Sequence, residues 1–417
     1  MSSSSPSHVT ILGAGVIGLS TALYCARRGM KVTVVDRKPA QRDGCSFGNA
    51  GMIVPSHFIP LAAPGMVALG LKWMWNPESP FYIKPRLDLD LLRWGLKFWK
   101  AATREKVTAA GPVLRDLSLL SRHCFDELGL DFGLQKKGLL MLCKQQHTLD
   151  EEAHGAEKAI ALGLPAEVLD ARATAALDPA VTMDVVGSVY YPKDCHLSPG
   201  RLIAAMEAEL QRLGVDLLWE TEVTGLATEG RSLRAVHTSH GPLDVQQLVL
   251  CSGVWSAELA KKLDLKLPMQ AGKGYSLTLQ NPAQLPDLCS ICTEARLAVT
   301  PMDGTLRVGG TMELSGTDES IAQRRVRGIT RAFPQYFPAF QEADFAEIQP
   351  WSGLRPVSPD GMPYIGKTQR WGNLHIATGH AMMGLSLAPA TGKIIADQLA
   401  GEPGPFDLQL CSPDRFA

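Results

Sequence analysis

The chain has 417 residues, of which 45% are hydrophobic and 20% are charged, and its formal net charge is −1. The length exceeds a single ordinary core and indicates about two domains, while the near-neutral charge excludes a general attraction to nucleic acid or anionic membranes. No apolar run approaches the length of a membrane-spanning helix, and the nine cysteines lack a disulfide-like spacing. We therefore expect a cytoplasmic protein in a reducing setting.

The first predicted element is a βαβ unit that runs from His8 to Asp36. A short apolar strand is followed by a glycine-rich turn, a helix and a second strand that ends at Asp36. Glycines in the pattern G-x-G-x-x-G permit a tight turn, close approach of backbone to a pyrophosphate and close helix–strand packing, and the strand-end carboxylate can accept hydrogen bonds from ribose hydroxyls. The unit predicts a dinucleotide site but does not by itself distinguish FAD from NAD. The predicted contacts are Gly13, Gly15, Val16, Ile17, Gly18, Asp36 and Arg37.

Beyond this unit, helix and strand patterns alternate. Residues 57–100 hold four of the eight tryptophans among prolines and basic residues, namely Trp73, Trp75, Trp94 and Trp99. Apolar periodicity predicts helices over 113–128, 151–162 and 199–213, strands over 215–219, 247–251, 275–279, 298–300, 306–309 and 374–377, and a final helix up to about residue 399. Because cofactor-type elements lie at both ends and in the middle, we expect the chain to cross between its domains several times.

Four segments resemble the D-amino-acid oxidase superfamily of FAD-dependent oxidoreductases, with bacterial D-amino-acid dehydrogenases and glycine oxidases as its most similar members. Residues 46–55 (SFGNAGMIVP) resemble the superfamily's second flavin-contact loop, and 250–256 resemble a turn near the adenosine. Residues 352–366 (SGLRPVSPDGMPYIG) resemble the segment that carries the substrate-binding arginine. Residues 379–392 resemble the loop and helix start beneath the flavin pyrimidine ring.

The resemblance implies an α/β fold in which a Rossmann-type FAD-binding domain is joined to a second, mixed-sheet α+β domain that binds the substrate. We expect the FAD-binding domain to combine residues 1–56, 188–264 and 346–417, and the substrate domain to combine 57–187 and 265–345. FAD is expected to be bound non-covalently. Besides the glycine-rich turn, the resemblance assigns FAD contacts to Ser46, Asn49, Ala50, Gly51, Met52, Val223, Ser252, Gly253, Trp255, Gly353, Gly379, His380, Met383, Gly384, Leu385 and Ser386.

Oxidation of an amino acid by a flavin requires the α C–H of the substrate to be held against flavin N5, with a neutral amine and an anchored carboxylate. The resemblance makes Arg355 the anchor, because a guanidinium binds a carboxylate through two charge-assisted hydrogen bonds. The alternative is a structural arginine paired with Asp360. Tyr275 is a candidate hydroxyl of the substrate pocket. His380 either contacts the flavin or is a structural histidine with its hydrogen bonds satisfied.

The expected reaction is the oxidation of a small D-amino acid or cyclic imino acid, by hydride transfer from the α-carbon to flavin N5, to an imine or keto acid. Electrons would then pass to a quinone, an electron-transfer partner or another acceptor that is not O2. Several members of the superfamily place a substrate-contacting tyrosine where this chain has Leu297–Val299. Its absence leaves room for a ring or a branched side chain, as in a hydroxy-D-proline-like substrate.

Three other functions remain open: an O2-using glycine, D-amino-acid or sarcosine-type oxidase, an NAD-dependent dehydrogenase that uses only the first βαβ unit, and a non-catalytic flavin-binding module. The tryptophan-rich stretch 57–100 fits core packing or a subunit interface, or a patch that docks peripherally at the inner face of a membrane. Cys289 and Cys292 have the spacing of a redox pair without its usual context. The sequence has no second Cys/His pair with matching spacing, so it does not predict a metal site.

Overall fold

The computed structural model of the protein describes residues 8–74, 76 and 78–417, so residues 1–7 and Trp75 of the tryptophan-rich stretch lie outside the described residues. The α-helices are α1 (Val16–Arg27), α2 (Met66–Trp73), α3 (Leu89–Ala101), α4 (Arg104–Glu127), α5 (Gln146–Ala161), α6 (Ala171–Leu177), α7 (Pro199–Arg212), α8 (Ser256–Lys261), α9 (Gln323–Tyr336) and α10 (Gly384–Ala400). The strands are β1 (His8–Leu12), β2 (Lys31–Val35), β3 (Met52–Ile53), β4 (Phe81–Ile83), β5 (Leu139–Cys143), β6 (Glu167–Asp170), β7 (Gly187–Tyr191), β8 (Cys195–His196), β9 (Asp216–Leu218), β10 (Val223–Glu229), β11 (Ser232–Thr238), β12 (Gly241–Asp244), β13 (Gln247–Leu250), β14 (Gln270–Leu279), β15 (Cys289–Cys292), β16 (Leu297–Met302), β17 (Thr305–Leu314), β18 (Trp351–Val357), β19 (Tyr364–Lys367) and β20 (Leu374–Thr378).

A largely parallel sheet contains the N-terminal strand, in the order β19–β20–β13–β1–β2–β9. Only β19, at one edge, runs antiparallel to its neighbour. Val9 and Ile11 pack in one core while Leu12 packs in another, so both faces of the sheet are covered. This burial explains why the strands are nearly continuous apolar runs. The βαβ unit predicted between His8 and Asp36 is confirmed.

A second, mixed sheet follows the path β18–β14–β17–β16–β15–β5–β7–β6, and β4 pairs with β17. The long strands β14 and β17 are antiparallel, whereas β15 and β5 are parallel. The predicted α/β fold with one doubly wound sheet and one mixed sheet is therefore confirmed. The domain ranges stay a proposal. Strands β7 and β18, which those ranges assign to the FAD-binding domain, are hydrogen-bonded in the second sheet.

The pairing of β14 with β18 decides which side chains share a face of the second sheet. Arg355 lies opposite Gly272, and Gly353 lies opposite Gly274. Residues that pair across antiparallel strands point to the same face, and successive residues point to opposite faces. Arg355 and both of these β14 glycines therefore share one face, and Tyr275 lies on the other.

His375 of β20 is buried, and neither of its ring nitrogens has a hydrogen-bond partner among the described residues. Burial lowers the pKa of His375 from 6.5 to about 4. The folded protein therefore resists protonation of this ring, while the unfolded chain accepts the proton below pH 6.5. Stability contributed by neutral His375 is present above pH 6.5 and is lost as the pH falls towards 4, by up to about 1.4 kcal/mol for each pH unit.

We expect His375→Gln to reduce the slope of the unfolding free energy against pH, between pH 6.5 and about 4, by up to about 1.4 kcal/mol for each pH unit. Urea denaturation at pH 7, 6 and 5 measures the slope. The matched control is His147→Gln, because His147 is exposed on α5. Equal slopes for wild type and His375→Gln would show that the buried ring does not set the acid sensitivity.

Candidate active site

A cavity of about 720 Å³ lies where the carboxyl ends of β1, β2 and β13 face strand β18 of the second sheet. Open α/β sheets bind their ligands at this end of the parallel strands. Most of the residues predicted to contact FAD or substrate line this cavity. They are Gly13, Gly15, Val16, Ile17, Asp36, Arg37, Ser46, Asn49, Val223, Ser252, Gly253, Trp255, Gly353, Arg355, His380, Gly384 and Leu385.

The turn between β1 and α1 has the form needed to hold a pyrophosphate. Gly13 has φ +107°, and a Cβ at this position would lie 2.6 Å from the carbonyl oxygen of Cys251. A Cβ on Gly18 would lie 1.8 Å from the Gly13 oxygen, so Gly18 serves helix–strand packing rather than lining the cavity. The first turn of α1 carries no acidic side chain. The helix dipole therefore favours an anionic group at this end, although the Val16 N–H already donates to the Ser46 hydroxyl at 3.0 Å.

Asp36 is held in place by backbone amides at the end of β2. Its carboxylate accepts hydrogen bonds from the N–H of Ala14 at 2.7 Å and of Lys38 at 2.9 Å. A carboxylate has further lone pairs, which suits it to accept ribose hydroxyls from the cavity. Next to it, the Arg37 guanidinium lies 4.3 Å from the ring centre of Trp255. This cation–π pair forms one wall of the cavity.

Two arginines that the sequence did not indicate support the same region. Arg42 lines the cavity, donates to the Ala14 carbonyl at 2.6 Å and stacks over Trp219. Arg307 of β17 donates to the carbonyls of Phe47 and Asn49 at 2.9 and 2.8 Å, which fixes the predicted flavin-contact loop. Neither arginine was a predicted site residue, because each acts on residues that are distant in the sequence.

Several predicted contacts lie behind the cavity rather than on its surface. Ala50 and Gly51 belong to the loop before β3, and Met52 pairs with His196 in β8. The hydroxyl of Ser386 in α10 accepts a hydrogen bond from the N–H of Val54 at 3.1 Å. None of these residues lines the cavity, and neither do Gly379 or Met383.

The Arg355 side chain extends from β18 into the cavity, and contacts with the protein fix the position of its guanidinium. Its Nη1 donates to the Thr311 carbonyl at 2.7 Å. The guanidinium lies over Gly274, where a Cβ would be 2.1 Å from Nη2. Burial lowers the pKa of Arg355, yet an arginine remains charged near neutral pH. This arrangement leaves donors free for an anionic ligand.

The alternative of a structural pair between Arg355 and Asp360 is wrong. Asp360 accepts from Nε and Nη2 of Arg415, at 2.7 and 3.0 Å. Among the described residues, no carboxylate makes an ion pair with Arg355. The chain therefore places a positive charge in the cavity that its own described acids do not neutralise.

Thr311 directs its carbonyl at Arg355 through an unusual backbone. Its φ is +69°, a left-handed conformation that threonine seldom adopts. The β14–β17 ladder shifts register between Lys273 and Tyr275, directly opposite this residue, which marks a β-bulge. Bulges often redirect groups next to active sites. The carbonyl of this strained residue accepts the hydrogen bond that orients the Arg355 guanidinium.

His380 lies between β20 and α10 as a buried, neutral ring that lines the cavity. Its Nε2 is 3.0 Å from the Thr391 hydroxyl, which donates its own hydrogen to the Leu387 carbonyl at 2.8 Å. The Thr391 oxygen must therefore accept, so Nε2 carries the proton of His380. Burial lowers the pKa of His380 to about 3. Nδ1 is left as a lone pair without a partner among the described residues.

The structure does not bring Tyr275 to the cavity. Its side chain is buried on the other face of β14, and its hydroxyl donates to Glu313 at 2.7 Å. Lys273, also buried, lies 3.9 Å from the same carboxylate and donates to the Ser320 carbonyl. The predicted substrate contact of Tyr275 is therefore corrected to a hydrogen bond inside the second sheet.

Cys289 and Cys292 both belong to strand β15 and are free thiols. Residues three apart in a strand have Cα atoms about 10 Å apart, which is too far for a disulfide. Among the described residues, no group of histidine, cysteine and acidic side chains is arranged to hold a metal ion. In the same part of the chain, no helix is long and apolar enough to cross a membrane.

Comparisons with known proteins agree with this geometry. The D-amino acid dehydrogenase of Bradyrhizobium diazoefficiens is 33% identical over 98% of this chain and 99% of its own length. The D-amino acid dehydrogenase of Vibrio atlanticus is 32% identical over 98% and 100%. Both relatives extend over nearly the whole chain.

Two solved structures share the fold. Glycine oxidase from Geobacillus kaustophilus has a TM-score of 0.78 at 23% identity and covers 98% of each chain. L-proline dehydrogenase from P. horikoshii has a TM-score of 0.73 at 18% identity, covering 99% of this chain and 98% of its own. The family described as "DAO: FAD dependent oxidoreductase" matches residues 8–398. The chain therefore belongs to the DAO family of FAD-dependent oxidoreductases, as its sequence predicts, and FAD is the cofactor of this family's site.

Proposed function

We propose that this FAD-dependent amino acid oxidoreductase is a dehydrogenase of small D-amino acids or cyclic imino acids. The observation that carries the proposal is Arg355, a cation in the cavity that has no ion-pair partner among the described residues. Such a site selects a ligand with a carboxylate. The two D-amino acid dehydrogenases compared above support the choice of substrate class.

The residues fit FAD at one end of the cavity and an amino acid at the other. Gly13, Gly15 and the start of α1 would hold the pyrophosphate, and Asp36 would accept the ribose hydroxyls. Bound FAD supplies the chemistry, since its ring system accepts a hydride from the substrate α-carbon. The α10 N-terminus at Gly384 would favour negative charge on the cofactor edge beside it.

The chain's own residues would position the substrate. Arg355 would bind the carboxylate with the donors that Thr311 does not use. His380 is neutral, so it adds no second cation that would compete for the carboxylate. The neutral amine form of the substrate can react without a strong base, because its nitrogen lone pair assists the loss of hydride. The rate enhancement would come mainly from positioning and electrostatics.

Strand β16 lacks the substrate-contacting tyrosine that several members of the superfamily place there, and this absence is why we propose a ring-shaped or branched substrate. Leu297 and Val299 pack in the core of the second sheet, with Tyr275. Ala298 alternates to the other face and packs against the core that contains Val16 and Leu385. Ala298 thus lies on the face of the second sheet that carries Arg355, where it adds only a methyl group, and none of these three β16 residues lines the cavity. A hydroxy-D-proline-like compound is the specific substrate that we propose.

FAD should be released by acid precipitation, with its yellow colour in the supernatant. Covalent attachment to cysteine needs a thiolate. The cysteines that line the cavity are Cys45 and Cys251, and burial raises the pKa of both thiols. Absorbance at the flavin band of pellet and supernatant measures the distribution. Colour that stays with the denatured pellet would mean a covalent bond.

A dehydrogenase and the alternative, an O2-using oxidase, differ in the electron acceptor that reoxidises the flavin. We expect flavin that has been reduced by substrate to be reoxidised slowly by air and rapidly by an artificial dye or a quinone. Stopped-flow mixing of the reduced holoprotein with each acceptor measures the two rates. Rapid reoxidation by air, with one equivalent of peroxide, would instead support an O2-using oxidase.

A further inference from the structure

The left-handed backbone of Thr311 is held in place by more than its contact with Arg355. A residue other than glycine keeps such a conformation only where the surrounding structure fixes it. In the pairing of β14 with β17, two residues of β17, Thr311 and Met312, lie opposite the single residue Gly274. The backbone ladder is therefore interrupted where the Thr311 carbonyl meets the guanidinium, and other contacts must hold the bulge.

On the face of the sheet opposite Arg355, one carboxylate contacts both flanks of this bulge. Glu313 is 6% exposed and pairs with Lys273, which precedes the bulge in β14. Its carboxylate accepts a hydrogen bond at 2.7 Å from the hydroxyl of Tyr275, which follows the bulge in β14. The Lys273 ammonium lies 3.9 Å from the other carboxylate oxygen. Glu313 thus connects the two flanks, one through each oxygen.

Burial makes this connection costly to break. Lys273 and Tyr275 are each 1% exposed, and Lys273 also donates to the Ser320 carbonyl at 2.8 Å. Burial, with the nearby Glu313 carboxylate, raises the pKa of Tyr275 above its usual value, so the hydroxyl keeps its proton and donates it to Glu313. A buried charge or donor that loses its partner destabilises the folded state. The three side chains therefore resist a change in the distance between the flanks.

A buried arginine holds the neighbouring segment against the same bulge. The N–H of Met312 donates to the Pro80 carbonyl at 2.7 Å. Arg325 donates to the Ser79 carbonyl at 3.2 Å and lies 4.1 Å from the ring centre of Tyr82. These contacts satisfy a backbone donor at the bulge and fix the segment that accepts it. None of these residues lines the cavity.

We propose that Glu313, together with Tyr275 and Lys273, positions Arg355 for the carboxylate of the substrate. Glu313 holds the bulge, the bulge directs the Thr311 carbonyl, and this carbonyl fixes one side of the guanidinium. The three side chains lie outside the cavity, so they act on substrate capture through Arg355. The inference rests on the proposed function, because it takes a carboxylate as the ligand of Arg355.

Tyr275→Phe tests the proposal, because it removes the hydroxyl that holds one flank of the bulge. A displacement of about 1 Å at a positioning group can cost about 100-fold, so we expect a partial release to raise KM by about tenfold. The kcat should stay nearly unchanged, since bound substrate reacts as before once the site is saturated. Steady-state kinetics with a D-amino acid and an artificial dye, normalised to bound flavin, measure both.

Binding of propionate, a carboxylate without an amine, gives a readout that does not depend on turnover. Its dissociation constant, measured from the absorbance change of the bound flavin, should rise about tenfold in Tyr275→Phe. Lys273→Met releases the other flank with a side chain of similar length, and we expect the same two effects. This second variant carries the test if Tyr275→Phe does not fold.

The matched control is Tyr336→Phe. Tyr336 is 2% exposed and donates to Glu294 at 2.6 Å, so the exchange removes an equivalent buried hydrogen bond away from the bulge. We expect Tyr336→Phe to lower the unfolding temperature about as much as Tyr275→Phe does, and to keep the wild-type KM and propionate binding. A purely structural role of Tyr275 would give this pattern for both variants.

Combination with Arg355→Lys shows whether the effect passes through Arg355. In that background Tyr275→Phe should change KM by less than about twofold, because the guanidinium that it positions is absent. The positioning role is overturned if Tyr275→Phe and Lys273→Met keep the wild-type KM, if Tyr336→Phe raises KM equally, or if the full loss persists beside Arg355→Lys. An Arg355→Lys protein that binds substrate and propionate like wild type would overturn the proposed function as well.

Discussion

Arg355→Lys is expected to lower kcat/KM by about 30- to 1000-fold while the FAD content of the protein stays unchanged. Lysine keeps the positive charge but cannot form two parallel hydrogen bonds to a carboxylate or retain the Thr311 contact. The loss corresponds to about 2–4 kcal/mol of transition-state stabilisation. Steady-state kinetics with a D-amino acid and an artificial dye, normalised to bound flavin, measure it.

The matched control is Arg415→Lys, because Arg415 is a buried arginine whose carboxylate partner, Asp360, belongs to the protein. We expect this variant to unfold at a lower temperature and to keep its KM. The account of Arg355 is wrong if Arg355→Lys loses FAD and the remaining flavin reacts with unchanged kcat/KM. Arg355 would then be a structural residue like Arg415.

Gly274→Ala is expected to weaken substrate capture through Arg355 without touching the substrate itself. The added Cβ would lie 2.1 Å from Nη2, so the guanidinium must move. A displacement of about 1 Å at a positioning group can cost about 100-fold in kcat/KM. We expect most of the loss to appear as a higher KM, with FAD occupancy retained.

Gly309→Ala is the control for this second prediction. Gly309 lies in the neighbouring strand β17, and its nearest contact to an added Cβ is 3.4 Å, an ordinary packing distance. This variant should retain wild-type kinetics. If Gly274→Ala also retains wild-type KM, the guanidinium does not lie over Gly274 in the working enzyme.

Local patterns made much of the cofactor site predictable. The strand, turn and helix between His8 and Asp36 are set by contiguous residues, so their roles can be inferred without knowledge of the rest of the fold. Ser252, Gly253 and Gly384 line the cavity as the resemblance implied. These positions belong to turns at strand or helix ends, where few residue types fit.

Properties that depend on pairing between distant strands could not be predicted. Tyr275 points away from the cavity because of the register of β14 with β18, which no local pattern specifies. Thr311 and Gly274 act on Arg355 through a bulge between strands far apart in sequence. The partner of Asp360 is 55 residues away, in Arg415. Long-range contacts of this kind decide which candidate residues enter the site.

Helix α3 illustrates a different limit. Its sequence is apolar on both faces, so periodicity could not show which side packs on the protein. Trp94 is buried and Trp99 is exposed, although both belong to the same tryptophan-rich stretch. Core packing, one of the expectations for that stretch, describes the face of this helix that contains Trp94, whereas the subunit interface and the docking patch stay predictions.

Anaerobic mixing of the holoprotein with single enantiomers tests the central claim most directly. The flavin absorbance should be bleached by D-proline, hydroxy-D-proline or D-alanine and should not change with the L-enantiomers on the same time scale. Repeating the experiment with Arg355→Lys should slow the bleaching without changing the initial flavin spectrum. Bleaching by the L-enantiomers alone, or by none of these compounds, would contradict the assignment as a D-amino-acid dehydrogenase.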